Sequence, residues 1–178
     1  MTRQARELEM KASVTFTKQN ATEHGKRLMA LALYRRGKSF IGAAVLLGQQ
    51  PGADRYVVLH LLCQGVEIIL KALLLLLNYE KYIKQQRRHG HDLNRVVAVA
   101  IEAFGLHPMR PKLAQEVQAL NSFYSQHLLR YDGLHDILID PASIESNRMF
   151  RRIAAVLRVS EREIAKSARS SRPEGSQP

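Results

Sequence analysis

The sequence predicts an all-α protein built as a helical bundle, and three observations predict it. An unbroken leucine-rich run extends from Asp54 to Asn78, no strand-like alternation persists anywhere, and the 16 glycines and prolines fall mostly in connections. A chain of 178 residues suits one domain with short appendages, and a hydrophobic content of 46% is ample for a core. With no tryptophan and 6% aromatic residues, aliphatic packing dominates that core.

The Asp54–Asn78 run is the element around which the rest is arranged. Leucine rather than β-branched residues fill it, so it reads as a buried helix, capped by Asp54 and closed by Asn78. It is about long enough to cross a bilayer. His60, Gln64, Glu67 and Lys71, however, recur at i, i+4, i+7 and i+11 and share one face. Two charges at mid-span are costly in lipid, which favours the core helix of a soluble bundle. The polar stripe has two readings. It is a solvated edge carrying a Glu67–Lys71 pair worth a few tenths of a kcal/mol, or it lines a cleft or a subunit interface.

The flanking elements follow in order. Residues 1–20 read as an N-terminal arm. Asn20 with Glu23 resembles a cap pair, opening a helix from about Ala21 to Gly48 whose core face is Leu28, Leu31, Tyr34, Ile41 and Val45. Gly37 and Gly42 inside it permit a kink or a close helix contact. Gln49-Gln50-Pro51-Gly52 forms the turn into the central helix. Tyr79 to His91 reads as a polar, basic connector with room for one helical turn, after which Asp92 caps a helix to about Phe104.

Pro111 suits the first position of the next helix, predicted to reach about Tyr131 with Leu113, Val117, Leu120, Tyr124, Leu128 and Tyr131 inward. Asp140-Pro141 opens a last helix to about Ala168, with Phe150, Ile153, Leu157 and Ile164 inward. Arg151, Arg158, Arg162, Lys166 and Arg169 form a cationic stripe along it, either a phosphate-tracking face or a solvated one. The bundle thus spans residues 21–169, and residues 170–178 read as a disordered tail.

Composition narrows the function. A single cysteine, Cys63, excludes an internal disulfide and a thiolate metal cluster, and its place in the core run makes it inert. The N-terminus has no apolar signal segment, which points to the cytoplasm. Lysine and arginine number 27 against 16 acidic residues, a formal net charge of +11. That excess favours an anionic partner such as nucleic acid, a nucleotide or an acidic protein.

The motifs narrow it further. His89-Gly90-His91 offers two imidazoles where a catalytic zinc usually takes three protein ligands, so no metal and no cofactor is expected. Neither a Gly-x-Ser-x-Gly turn nor a glycine-rich phosphate loop occurs. What remains is Arg130-Tyr131-Asp132-Gly133-Leu134-His135. Histidine can move the proton of a 2′-hydroxyl or a leaving oxygen, and arginine can hold a phosphate bidentately. Gly133 lets the helix end and the chain turn His135 back toward Arg130.

These pieces together resemble the HEPN (higher eukaryotes and prokaryotes nucleotide-binding) domains. The resemblance rests on Glu67-Ile68-Ile69-Leu70-Lys71 in the long helix, His91-Asp92-Leu93 opening the next, Tyr124 and Arg130-Tyr131 in the late helix, and Ala43-Ala44-Val45-Leu46-Leu47 ending the first. It covers about residues 21–135 and implies an up-down four- or five-helix bundle that forms a homodimer. Many members of that family are metal-independent endoribonucleases, in toxin or defence systems, with an Arg-x(4–6)-His motif. Arg130 and His135 match it, with Asp132 placed to orient either side chain. Other members are non-catalytic modules that bind a nucleotide, nucleic acid or protein partner, often beside a nucleotidyltransferase-type antitoxin. For that alternative Glu67, Lys71, His91 and the cationic stripe are the expected contacts.

Overall fold

Asp54 starts the central helix as the sequence predicts, its carboxylate accepting hydrogen bonds from the Tyr56 and Val57 amides at 2.7 and 3.1 Å. The computed structural model describes residues 22–126 and 158–165. Its elements are α1 (Glu23–Gly48), α2 (Arg55–Leu77), α3 (Tyr79–His89), α4 (Leu93–Ala103), α5 (Pro111–Ser125) and α6 (158–165). Among the described residues all regular structure is helical, so the all-α prediction holds there. The arm at residues 1–20 and the tail at residues 170–178 lie outside the described residues.

α2 is the core helix. It is apolar and long enough to cross a membrane, yet 61% of its most apolar window is buried against the other helices. Leu62, Ile69 and Leu74 are almost fully buried, and each such side chain contributes about 1.5–3 kcal/mol of transfer free energy. α1, α3, α4 and α5 all pack on it.

The α1–α2 contact is unusually close, and glycine makes it so. A Cβ on Gly37 would stand 2.7 Å from Ile69 Cγ1 and 2.9 Å from the Gly65 carbonyl oxygen. A Cβ on Gly65 would stand 2.6 Å from Ile41 Cγ1 and 2.9 Å from the Gly37 carbonyl. Each helix therefore presents a Gly-x-x-x-Ile pair, and each isoleucine seats against the opposite glycine. This geometry corrects the predicted α1 core face. Ala30, Tyr34, Gly37, Ile41 and Ala44 are buried, whereas Leu28 is 52% exposed and Leu31 and Val45 are half-buried. Backbones this near leave room mainly for small residues on the seam. Gly42 faces open space and produces no contact.

Two further corrections concern helix ends. α1 begins on Thr22, whose hydroxyl accepts from the Gly25 amide at 3.1 Å, and not on Asn20, which lies outside the described residues. The predicted connector after Asn78 is an eleven-residue helix, α3. Asn78 both ends α2 and caps α3, its side-chain oxygen accepting from the Lys81 amide at 3.0 Å. Tyr79 and Tyr82 then bury against Leu74, Leu75 and Ala30. Local polarity had masked this anchor, because the two tyrosines are flanked by lysines and glutamines. Lys26 of α1 adds a tie to Glu80 at 2.6 Å.

α4 opens on Asp92 as predicted, the carboxylate accepting from the Arg95 amide at 3.1 Å. α5 has Pro111 in its first turn and buries Tyr124, while Leu113, Val117 and Leu120 are half-buried. Leu128 and Tyr131 lie outside the described residues. α6 docks on α1 through a 3.2 Å hydroxyl–hydroxyl bond between Tyr34 and Ser160, a Lys38–Glu161 ion pair at 3.1 Å, and Ile164 against the α1–α2 core. The other residues predicted inward on that helix, Phe150, Ile153 and Leu157, lie outside the described residues.

Cys63 sits in the core beside Leu59, Leu93 and Tyr124. Burial, assisted by the Glu67 charge, pushes its thiol up to about 12. The thiolate is the reactive form. At pH 8 an aromatic disulfide reagent is expected to leave native Cys63 unmodified over the time in which it fully labels the urea-unfolded chain. Equal labelling rates in the two states would contradict the packing of α2.

Candidate functional site

The polar stripe of α2 faces the protein, not solvent. Glu67 is 3% exposed. Burying a carboxylate is costly unless its oxygens are satisfied, and here three side chains satisfy them. Lys71 Nζ donates to Oε1 at 2.5 Å, the Tyr124 hydroxyl donates to Oε2 at 2.5 Å, and His91 Nδ1 lies 3.2 Å from Oε2. With its proton on Nδ1 the imidazole donates to the carboxylate. The rings of His60 and His91 stand 5.6 and 5.9 Å from that of Tyr124, which completes the surroundings.

The same network fixes the turn between α3 and α4. Lys71 Nζ also donates to the Gly90 carbonyl at 2.6 Å, and Gln86 Nε2 donates to the Lys71 carbonyl at 3.1 Å. Gly90 has φ +52°, a left-handed value that glycine adopts without strain. From α5, Asn121 accepts from the Leu93 amide at 2.6 Å and donates to Asp92 Oδ1 at 3.2 Å. Three elements thus meet at Glu67, namely α2, the α3–α4 turn and α5, and Asn121 of α5 ties in the first turn of α4.

The structure therefore brings together three of the sequence-predicted binding residues, Glu67, Lys71 and His91. The Glu67 carboxylate and the Tyr124 hydroxyl are enclosed, Lys71 is 15% exposed, and His91 at 41% is the member of the group that solvent reaches. Chemically the arrangement is a brace. It holds one carboxylate among its donors and ties α3 and the turn after it to α2. In the sequence Tyr124 reads as a core residue and as part of the family resemblance, not as a partner of Glu67, and Asn121 and Gln86 carry no signal.

Of the cationic stripe, Arg158 and Arg162 are both exposed, one helical turn apart on α6. Arg151, Lys166 and Arg169 lie outside the described residues. So do Arg130, Asp132 and His135, the predicted catalytic group, which begins four residues beyond Gln126.

A cleft of about 670 Å³ opens between α3 and α4. Lys81, Gln85 and Arg88 line it from α3, and Arg95, Val99 and Glu102 line it from α4. Leu77, Tyr82 and Ala103 complete its walls. The α3 residues stand at i, i+4 and i+7, one helical face, opposite the face that buries Tyr79 and Ile83. That spacing was readable once the segment was known to be a helix. Comparison with family models finds no match for the chain, and comparisons with curated proteins and with solved structures find none either.

Proposed function

We propose that the chain is a cytoplasmic, dimeric helical bundle of the HEPN type that binds RNA. The observation that supports this reading is charge: a formal net of +11, with Arg158 and Arg162 exposed on one face of α6. Clustered exposed cations lower the free energy of a phosphate chain by releasing its condensed counterions. Fluorescence anisotropy with a labelled single-stranded RNA tests it. Binding at about 50 mM salt that weakens steeply by about 200 mM is expected. Absence of binding at the lower salt would overturn the reading.

A second reading, a metal-independent endoribonuclease acting as a toxin or defence component, has one specific motivation. The Arg130-x4-His135 pattern follows α5 directly, with Asp132 between. Arg130 holds the scissile phosphate and His135 transfers the proton in that chemistry. Wild type is expected to cleave mixed RNA in EDTA, leaving 2′,3′-cyclic phosphate ends, while His135→Ala and Arg130→Lys lose most of the activity. Cleavage that survives His135→Ala would place the chemistry elsewhere. A nucleotidyltransferase-type partner would serve as the antitoxin in that case.

A further inference from the structure

We infer that the α3–α4 cleft is the phosphate-binding track for single-stranded RNA, with Lys81, Arg88 and Arg95 as the contacts. This rests on the RNA-binding reading and says where on the molecule the strand is held. Three cations and one carboxylate line the cleft. Among the described residues no carboxylate lies within ion-pair distance of Lys81, Arg88 or Arg95. Three lysines elsewhere are paired: Lys26 with Glu23 and Glu80, Lys38 with Glu161, and Lys71 with Glu67. The three cleft cations share one concavity, whose low-dielectric walls focus their field on an incoming anion.

The shape selects a strand over a single phosphate. Lys81 and Arg88 are seven residues apart on α3, about 10 Å along the helix axis, so the cations form a line and not a point. Leu77, Val99 and Ala103 give base faces an apolar wall. Lys81 Nζ is steadied 5.0 Å over the Tyr82 ring. Arg88 and Arg95 flank the turn that Lys71 grips through the Gly90 carbonyl, so the brace at Glu67 holds their backbones in place before any ligand arrives. Arginine at these positions can clamp phosphate oxygens bidentately. Glu102, near the end of α4 away from the turn, repels phosphate and marks where the track ends.

The test uses the full chain and a labelled twelve-nucleotide single-stranded RNA, with anisotropy recorded across a salt series. Arg88→Ala/Arg95→Ala is compared with wild type and with Arg158→Ala/Arg162→Ala, and a thermal melt checks that each variant folds. All four positions are exposed. Each single-strand phosphate contact contributes about 0.7 to the slope of log affinity against log salt. The cleft variant is expected to lose about 1.4 from that slope and to bind roughly 25-fold more weakly at about 0.1 M salt. Unchanged binding by the cleft variant would overturn the track and leave the RNA-binding reading standing. No binding by wild type would overturn both. Inorganic pyrophosphate, added as competitor, is expected to act only through ionic strength. Displacement of the RNA by micromolar pyrophosphate would reveal a small-polyphosphate site and overturn the strand assignment.

Discussion

Glu67→Ala is expected to destabilise the folded chain by about 3–5 kcal/mol, the range for removing one partner of a buried ion pair. The cost comes less from the lost attraction than from what is left behind. Lys71, a largely enclosed ammonium, would keep the Gly90 carbonyl but lose its counter-charge, and the fully enclosed Tyr124 hydroxyl would lose its carboxylate acceptor. Tyr124→Phe removes one donor and leaves the carboxylate its lysine and histidine, so a smaller loss of about 1.5–3 kcal/mol is expected. Urea unfolding followed by circular dichroism measures both. Effects below about 0.5 kcal/mol for each variant, the size usual for surface substitutions, would mean that Glu67 does not hold α2, the α3–α4 turn and α5 together.

The second large effect lies on the α1–α2 seam and carries a sign reversal as its control. Gly65→Ala places a methyl 2.6 Å from Ile41 Cγ1 and 2.9 Å from the Gly37 carbonyl oxygen. The side chain can turn aside, but the carbonyl moves only if the helices separate. Overpacking of this kind costs about 1–3 kcal/mol, more than the gain of about 1 kcal/mol that alanine brings to a helix interior. Gly42→Ala meets nothing within 4 Å, so only the propensity gain operates and a stabilisation of about 0.5–1 kcal/mol is expected. Gly65→Val should exceed Gly65→Ala, since its branched side chain cannot be withdrawn. Equal and stabilising effects at Gly65 and Gly42 would contradict the close crossing.

Much of the fold was legible because its determinants are local. Asp54, Asn78, Asp92 and Pro111 are helix signals that act within a turn of themselves, and each boundary is where they place it. The Asp54–Asn78 run identified the core helix because a side-chain period can be read without knowing its neighbours. What was not legible depends on partners distant in sequence. Its few apolar residues make α3 read as a connector. Only the tertiary anchor of Tyr79 and Tyr82 against α1 and α2 makes it a helix worth three turns. Leu28 was assigned inward from its spacing, but the seam is governed by Gly37 and Gly65, whose effect needs both helices present at once.

The site divides in the same way. Glu67, Lys71 and His91 stand out in the sequence and are joined in the structure, whereas the sequence leaves open whether their stripe is solvated or lines an interior. Periodicity places residues on one face without saying what covers that face, and here Tyr124, 57 residues away, covers it. Nothing in the sequence joins Lys81, Arg88 and Arg95, because a cleft between two helices is a property of how they splay.

The RNA track proposed along the α3–α4 cleft has a direct physical signature, nucleotide adducts on the two helices that line it. Ultraviolet cross-linking of the wild-type complex, followed by mass-spectrometric mapping of nucleotide adducts, tests it most directly. Adducts concentrated on peptides spanning residues 79–103 are the expected result. Adducts confined to residues 158–165, or to α1 and α2, with residues 79–103 unmodified, would contradict it.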